Sequence, residues 1–359
     1  MNDRVPMDWL DQPAQSLDPA AAQAAAERQG RLTKPPGALG QLEHLAVRLA
    51  AMQGRTCPAV DRVAITVFAA DHGIAAAGVS AFPQSVTAAM VRNFLSGGAA
   101  ISVAARSLGA QLSIVDVGVA HAVEVPTDAV AHFHQRAVAA GTADSRSGPA
   151  MRPEQCAQAL DAGRASVDET VNNDAQLYIG GEMGIANTTA AAALACLVTG
   201  APATRLCGPG TGLDAAGVAH KVEVVDALIH QHAAASAGDA LEALRRVGGF
   251  EIAALVGALL RCAQRGLPVL VDGFIVSVAA LVAQRICPEV ADWCFYGHQS
   301  AEPGHRHVLD ACGAQPLLAL DMRLGEGTGA AAAVPLLRMA CDLHAGMATF
   351  DEAGVADGQ

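Results

Sequence analysis

Apolar runs of strand length recur along the chain, and each ends in small or polar residues. Val63 to Ala70 runs into Asp71-His72-Gly73, Leu112 to Val117 into Gly118, and Leu177 to Ile179 into Gly180-Gly181-Glu182. Four later segments repeat the pattern: Thr204 to Cys207 before Gly208-Pro209-Gly210, Pro268 to Val271 before Asp272-Gly273, Trp293 to Tyr296 before Gly297-His298, and Leu317 to Leu320 before Gly325-Glu326-Gly327. Between them lie Ala/Leu-rich stretches with helical spacing, namely Thr87 to Leu108, Glu154 to Val171, Thr188 to Val198, Ala215 to Gln231, Glu251 to Arg265 and Phe274 to Arg285. Strands that are apolar throughout and alternate with helices predict an α/β fold, a parallel sheet with helices on both faces. In such a sheet ligands sit at the carboxyl ends of the strands, where these glycine-rich loops fall.

The first ~60 residues differ, being Ala/Gln/Glu-rich and helical over Pro19 to Arg28 and Leu39 to Met52, with Lys34-Pro35-Pro36-Gly37 as the break. Residues 1–62, completed by a C-terminal helix from Ala330 to His344 within 330–359, read as a small helical subdomain beside an α/β domain over 63–329. Asp351 to Gln359 reads as a frayed tail.

Composition narrows the partners. The chain has 359 residues, 52% hydrophobic and 16% charged, enough to bury a large core. With 23 basic and 35 acidic residues its net charge of -12 has the wrong sign for nucleic acid. A small phosphorylated ligand is still allowed, because a helix N-terminus and one or two cations bind a single phosphate whatever the overall charge. Nine widely spaced cysteines without a CxxC pair indicate reduced thiols and a cytoplasmic setting. Met1 to Leu10 has no apolar signal core. Leu267 to Ala283 is apolar except for Asp272, Gly273 and Ser277, and reads as strand, loop and helix, not as a membrane span.

Three loops carry candidate chemistry. Gly180-Gly181-Glu182-Met183-Gly184-Ile185-Ala186-Asn187-Thr188-Thr189 leads from a strand into a helix, so it is either an anion site built on backbone N–H groups or a tight turn with an Asn/Thr cap. Glu182 beside such a cradle is repulsive to phosphate unless it has another task. Gly208-Pro209-Gly210-Thr211-Gly212 precedes a helix bearing Lys221, one of only two lysines, which is either an anion ligand or a solvated cation. Gly325-Glu326-Gly327-Thr328-Gly329-Ala330 formally fits G-x-G-x-x-A, but only about thirty residues follow, too few for a dinucleotide-binding oxidoreductase. Glu326 is then a dipole-favoured cap or a general base. His298, His305 and His307 near Cys294 lack the rest of a zinc set and read as a surface or loop cluster. Asp71-His72-Gly73 is an acid-base or metal pair, or an Asp bonding loop amides.

Together these loops resemble one family, the nicotinate-nucleotide:dimethylbenzimidazole phosphoribosyltransferases of cobalamin biosynthesis. The resemblance spans nearly the whole chain, through Lys34-Pro35-Pro36-Gly37, Ala70-Asp71-His72-Gly73, Pro83-Gln84-Ser85-Val86-Thr87, Gly181-Glu182-Met183-Gly184, Val271-Asp272-Gly273-Phe274, His298-Gln299-Ser300-Ala301-Glu302 and Met322-Arg323-Leu324-Gly325-Glu326-Gly327. It implies a Rossmann-like sheet with a small helical domain, a homodimer, and transfer of phosphoribose from nicotinate mononucleotide to 5,6-dimethylbenzimidazole without cofactor or metal. It also implies that Glu326 is the catalytic base, that Glu182 and Lys221 are further active-site residues, and that Gly184, Ile185, Ala186, Asn187 and Thr188 form the phosphate turn with Gly208 and Gly210 beside it. Ser300 matches a loop lining the site, and Leu324 a base-pocket position. Phe82 and Met90 stand where some members have polar residues, which makes that wall more apolar and leaves open which benzimidazole, purine or phenol is the acceptor.

Overall fold

The computed structural model describes residues 7–356. Seven strands form one sheet: β1 (Val63–Ala70), β2 (Gln111–Gly118), β3 (His132–Gln135), β4 (Leu177–Met183), β5 (Val269–Val271), β6 (Cys294–Gln299) and β7 (Pro316–Ala319). The order is β3-β2-β1-β4-β5-β6-β7 and every pairing is parallel. This is the Rossmann order extended by one strand, with the direction of winding reversing between β1 and β4. All eight residues of β1 are buried. Because successive side chains point to opposite faces, both faces of the sheet are covered. Helices Pro153–Asn172 and Phe250–Arg265 pack against each other, and the second also lies on β1, β2 and β4.

Four expectations change. Thr204 to Cys207 is not a strand but lies in a helical turn, Ala203–Leu206, behind Pro202. β4 pairs directly with β5 through Tyr178 and Val269, so no strand fits between them, and a four-residue apolar run carries no period that separates strand from helix. β3 was passed over because His-Phe-His-Gln is an edge strand whose residues are only half-covered. The helix expected over Thr87 to Leu108 is two helices, Ser85–Leu95 and Ala100–Leu108, parted at Gly97, whose φ of 80° no helix tolerates. Residues 85–108 together have the length and hydropathy of a membrane span, but the backbone divides them here. The tail also begins in structure: Phe350–Ala353 is a helical turn closed by a Thr349/Glu352 capping box, while residues 357–359, like residues 1–6 of the N-terminal segment, lie outside the described residues.

Helix Thr328–Gly346 packs on helix Gln41–Gln53, and also on β6 and helix Ala100–Leu108. It thus ties the N-terminal helices to the sheet and carries the Gly325–Gly327 loop to the strand ends.

Candidate active site

A cavity of about 430 Å³ opens at the carboxyl ends of β4 to β7. Its wall comprises Glu182 to Thr188 after β4, Asp272 to Val276 after β5, His298, Ser300 and Glu302 from β6 onward, and Arg323 to Glu326 after β7, closed by Phe82, Val86 and Met90 and by Gly210 and Thr211. One end is apolar and the other polar, and the volume suits a small nucleotide with a base beside it.

The turn after β4 is held from below and behind. Ile185 N–H donates to Thr87 Oγ1 at 3.2 Å, and the Thr87 hydroxyl donates to Asp71 Oδ1 at 2.7 Å. Asp71 Oδ2 accepts the Ala120 amide at 2.9 Å, so Asp71 serves as a loop-bonding carboxylate. Ala186 sits at φ 75°, a left-handed conformation that costs an alanine of order 1–3 kcal/mol and marks a functional turn. Helix Asn187–Thr199 starts there, with no side-chain cap on its first amides. Asn187 instead turns its side-chain amide to Glu182 Oε2. Glu182 is buried, and burial, reinforced by Glu251, Asp272 and Glu326 and opposed by Asn187, pushes its pKa up to about 8.

Lys221 is not a solvated cation. Only 1% of it is exposed, and its ammonium donates to Thr188 Oγ1 at 2.8 Å and to the Gly208 carbonyl at 3.2 Å. It stands directly behind the cavity wall, braces Thr188, and keeps a third donor. Burial draws its pKa below the usual lysine value, against Cys207 and Glu302, which raise it. Gly208 is likewise behind the wall, whereas Gly210 lines the cavity, its carbonyl accepting from Arg323 Nη1 at 2.7 Å.

Glu326 projects into the same space from a strained position, φ 65° between two left-handed glycines. The capping alternative fails, because the start of helix Thr328–Gly346 is served by another residue. Asp272 Oδ2 accepts the Gly327 amide at 3.2 Å and its Oδ1 accepts the Ala330 amide at 2.8 Å. Glu326 Oε2 receives only a long bond from the Ile101 amide, 3.4 Å. Burial lifts its pKa to about 7, with Asp272 adding to the rise and the Ile101 amide opposing it. The Glu182 and Glu326 loops touch: a Cβ on Gly325 would lie 2.3 Å from Glu182 Oε1 and would displace that carboxylate, and the φ of 86° at Gly325 itself favours glycine.

The histidines are not a surface cluster: His298 and His305 are buried and only His307 is half-exposed. His305 Nδ1 accepts the Ser300 amide at 2.8 Å, which leaves the proton on Nε2, 2.9 Å from Ser277 Oγ. Burial, with a smaller contribution from His298, pushes its pKa down to about 3, so it is a neutral brace for the Ser300 loop. His298 Nε2 lies 3.6 Å from Asp272 Oδ1. His72 pairs with Glu251 at 2.7 Å, both side chains fully buried. Burial alone would lower the pKa of His72, but the Glu251 carboxylate outweighs it.

Of the residues expected at the site, Glu182, Gly184, Ile185, Ala186, Asn187, Thr188, Gly210, Phe82, Met90, Leu324, Ser300 and Glu326 line one cavity, and Lys221 and Gly208 support it from behind. Phe82 and Leu324, 47% and 52% exposed, form its mouth. Asp272, His298, Glu302 and Arg323 were not singled out as site residues, although they stand on the wall. Asp272, Glu302 and Arg323 are polar residues in loops of mostly small or apolar ones just after a strand, and His298 is near the end of β6, the one local signal that would have found them.

A phosphoribosyltransferase family model matches residues 14–355. The chain is 58% identical over 351 residues to the nicotinate-nucleotide–dimethylbenzimidazole phosphoribosyltransferase of Pseudomonas aeruginosa, covering 98% of this chain and 99% of that one. It is 58% identical over 350 residues to the enzyme of the same name from Azotobacter vinelandii, covering 98% of each. The crystal structure of that enzyme from Thermus thermophilus superposes with a TM-score of 0.88 at 44% identity, covering 95% of this chain and all of the other. With the same fold and a match along nearly its whole length, this chain belongs to the nicotinate-nucleotide:dimethylbenzimidazole phosphoribosyltransferase family.

Proposed function

We propose that the chain transfers the 5-phosphoribosyl group of nicotinate mononucleotide to 5,6-dimethylbenzimidazole, giving α-ribazole 5'-phosphate and nicotinate. The observation that carries this reading is a desolvated carboxylate, Glu326, on the wall of one cavity that is lined both by the apolar Phe82, Val86, Met90 and Leu324 and by the turn from Gly184 to Thr188. A pyridinium is already a good leaving group, so the C1'–N bond breaks with its electron pair passing to the ring nitrogen, and nicotinate departs without a strong acid. One benzimidazole nitrogen attacks C1' from the opposite face, which sets the α configuration. The other nitrogen gives its proton to Glu326, whose pKa near neutrality matches that task. Glu182, held by Asn187 on the same wall, is neutral in the free fold, and the positive charge that develops on the ribose favours its ionised form, which in turn eases that charge.

The phosphate belongs at the polar end. The turn from Gly184 to Thr188 enters a helix whose start has no side-chain cap, and Lys221, Arg323 and the Gly210 loop add charge and donors. Phe82, Val86, Met90 and Leu324 suit a flat apolar acceptor. An acceptor other than dimethylbenzimidazole is the second reading, favoured by how apolar Phe82 and Met90 make that wall. The reaction takes small molecules. The nine cysteines are all free, which suits a reducing cytoplasm. A homodimer and a separate helical subdomain formed by the chain ends complete the proposal, and sedimentation and limited proteolysis test them.

The deciding experiment mixes the purified protein with nicotinate mononucleotide and dimethylbenzimidazole and follows free nicotinate and α-ribazole 5'-phosphate. Adenine and p-cresol in place of the benzimidazole rank the acceptors. Absence of nicotinate release with all three would overturn the reaction.

A further inference from the structure

Among the described residues, Glu302 is the cavity carboxylate whose two oxygens are both buried without a hydrogen-bonding partner. The residue is 6% exposed and stands on the polar end of the cavity wall. Its backbone is pinned: the Glu302 amide donates to Ser300 Oγ at 3.2 Å, and its carbonyl accepts from the His305 amide at 3.0 Å. The carboxyl group lies over the Gly208 loop so closely that a Cβ on Gly208 would sit 2.2 Å from Oε2. Lys221, Arg323 and the Gly210 amide surround it and favour its ionised form, although burial is the larger influence and raises its pKa. Yet the neighbouring side chains bond elsewhere, Lys221 to Thr188 and Gly208, and Arg323 to Gly210. A buried carboxyl left without partners is costly, and a built site of this kind is completed by a ligand.

Chemistry restricts which ligand group that is. An ionised carboxylate only accepts hydrogen bonds. Nicotinate mononucleotide has three groups that could carry a donor proton: its phosphate carries none above a second pKa of about 6, and its ring carboxylate carries none. What remains is the pair of ribose hydroxyls. The acceptor base has a single N–H, and that proton goes to Glu326. The other carboxylates on the wall are committed, Asp272 to the Gly327 and Ala330 amides and Glu182 Oε2 to Asn187. We infer that Glu302 binds the 2'- and 3'-hydroxyls of the donor ribose, and so makes the enzyme select a ribonucleotide over its deoxy analogues. This rests on the proposed donor but goes beyond it, since neither phosphate nor leaving group reads the sugar.

The test compares nicotinate mononucleotide, its 2'-deoxy and 3'-deoxy analogues, and nicotinate riboside on wild type, Glu302→Gln and Glu302→Ala. Nicotinate release at saturating dimethylbenzimidazole gives kcat/KM, and calorimetric titration without acceptor gives Kd for the same pairs. Wild type is expected to favour the ribonucleotide over at least one deoxy analogue by about 10- to 100-fold, the range for a hydrogen bond to a charged group. Glu302→Ala should lose a similar factor on the ribonucleotide and almost nothing further on that deoxy analogue, so the discrimination falls toward one. Glu302→Gln, which keeps an accepting oxygen and the shape, should fall between.

Equal losses on ribo and deoxy donors would overturn the inference. A loss on the nucleotide that vanishes with the riboside would also overturn it, by showing that Glu302 acts as a protonated donor to phosphate. If wild type releases no nicotinate from any donor, the reaction itself fails, and the Kd comparison still decides whether Glu302 reads the diol. If Glu302→Ala does not fold, as seen in its circular dichroism, the Glu302→Gln comparison stands alone with the same criteria.

Discussion

Asp272 caps a helix that it does not belong to: its Oδ1 accepts the Ala330 amide at 2.8 Å. Its other oxygen takes the Gly327 amide, so one carboxylate from the end of β5 grips the chain just beyond Glu326 at two points. A left-handed glutamate between two glycines has few conformational restraints of its own, and this grip supplies them.

Replacement of Asp272 by Asn leaves one accepting oxygen for two amides and removes a negative charge beside Glu326. The expected result is a fall in kcat of at least about tenfold, the worth of a charge-assisted bond, with a lower Tm. The acid limb of kcat should move to lower pH, because Asp272 adds to the rise in the Glu326 pKa and burial, the larger cause, is left to hold it up. A limb that stays in place would show that Asp272 shapes the loop without tuning the base.

Glu326→Gln should keep the fold and both substrates while lowering kcat by about 10²-fold or more, the usual cost of a lost general base. In wild type the rate should climb as pH rises through about 7, where Glu326 gives up its proton. That limb should be missing in the variant. Isothermal binding of the acceptor and a pH series of kcat check both statements.

Lys221→Ala should weaken use of the nucleotide far more than use of nicotinate riboside, since only the nucleotide has the phosphate charge to lose. Donors at the helix start and the ammonium each contribute about 1.5–3 kcal/mol to a partly buried anion, so the riboside should be a very poor donor for wild type as well. Because remote binding also positions C1', the riboside should lose kcat along with affinity. Equal losses on both donors would limit Lys221 to bracing Thr188.

The two raised carboxyls also predict how stability follows pH. Glu182 titrates near 8 when folded against 4.5 as an ordinary glutamate, so its protonated form favours the folded state. That contribution is complete below about pH 4.5 and is lost as pH rises through 8. Glu182→Gln, which cannot ionise, should therefore melt a few degrees above wild type at pH 9 and level with it at pH 4. The same melting temperature difference at both pH values would mean that Glu182 is not held neutral in the fold.

How much of this was legible in the sequence depends on how far apart the partners lie. β1 matches its apolar run residue for residue, Val63–Ala70, because turn residues bound both ends. The loops after β4 and β7 were legible as chemistry because glycines crowd around a single acid in each. Asp272 was legible only as an interruption in an apolar stretch, since its partners Gly327 and Ala330 are 55 and 58 residues away. The burial of Lys221 was within reach: Val225, Leu228 and His232 continue its stripe at helical spacing along Ala215–Ser236, so the lysine falls on the inward face. Glu251 was open to the same reading, a lone acid at the start of a helix that is apolar on every side. The sequence marks Glu302 only as a polar residue in a loop of small ones, because what distinguishes it, two carboxyl oxygens without a hydrogen bond, depends on where distant neighbours fall in space.

The grip of Asp272 on Gly327 and Ala330 also sets an order in time. During synthesis the chain folds from its N-terminal end, and β1 to β4 emerge with Glu182 and Thr188 long before the last helix leaves the ribosome. Until Ala330 is available, Asp272 has nothing to hold and the loop bearing Glu326 does not exist. A nascent or prematurely ended chain therefore carries the pieces that would hold a nucleotide but no base to deprotonate an acceptor, and activity arrives all at once with the closing turn.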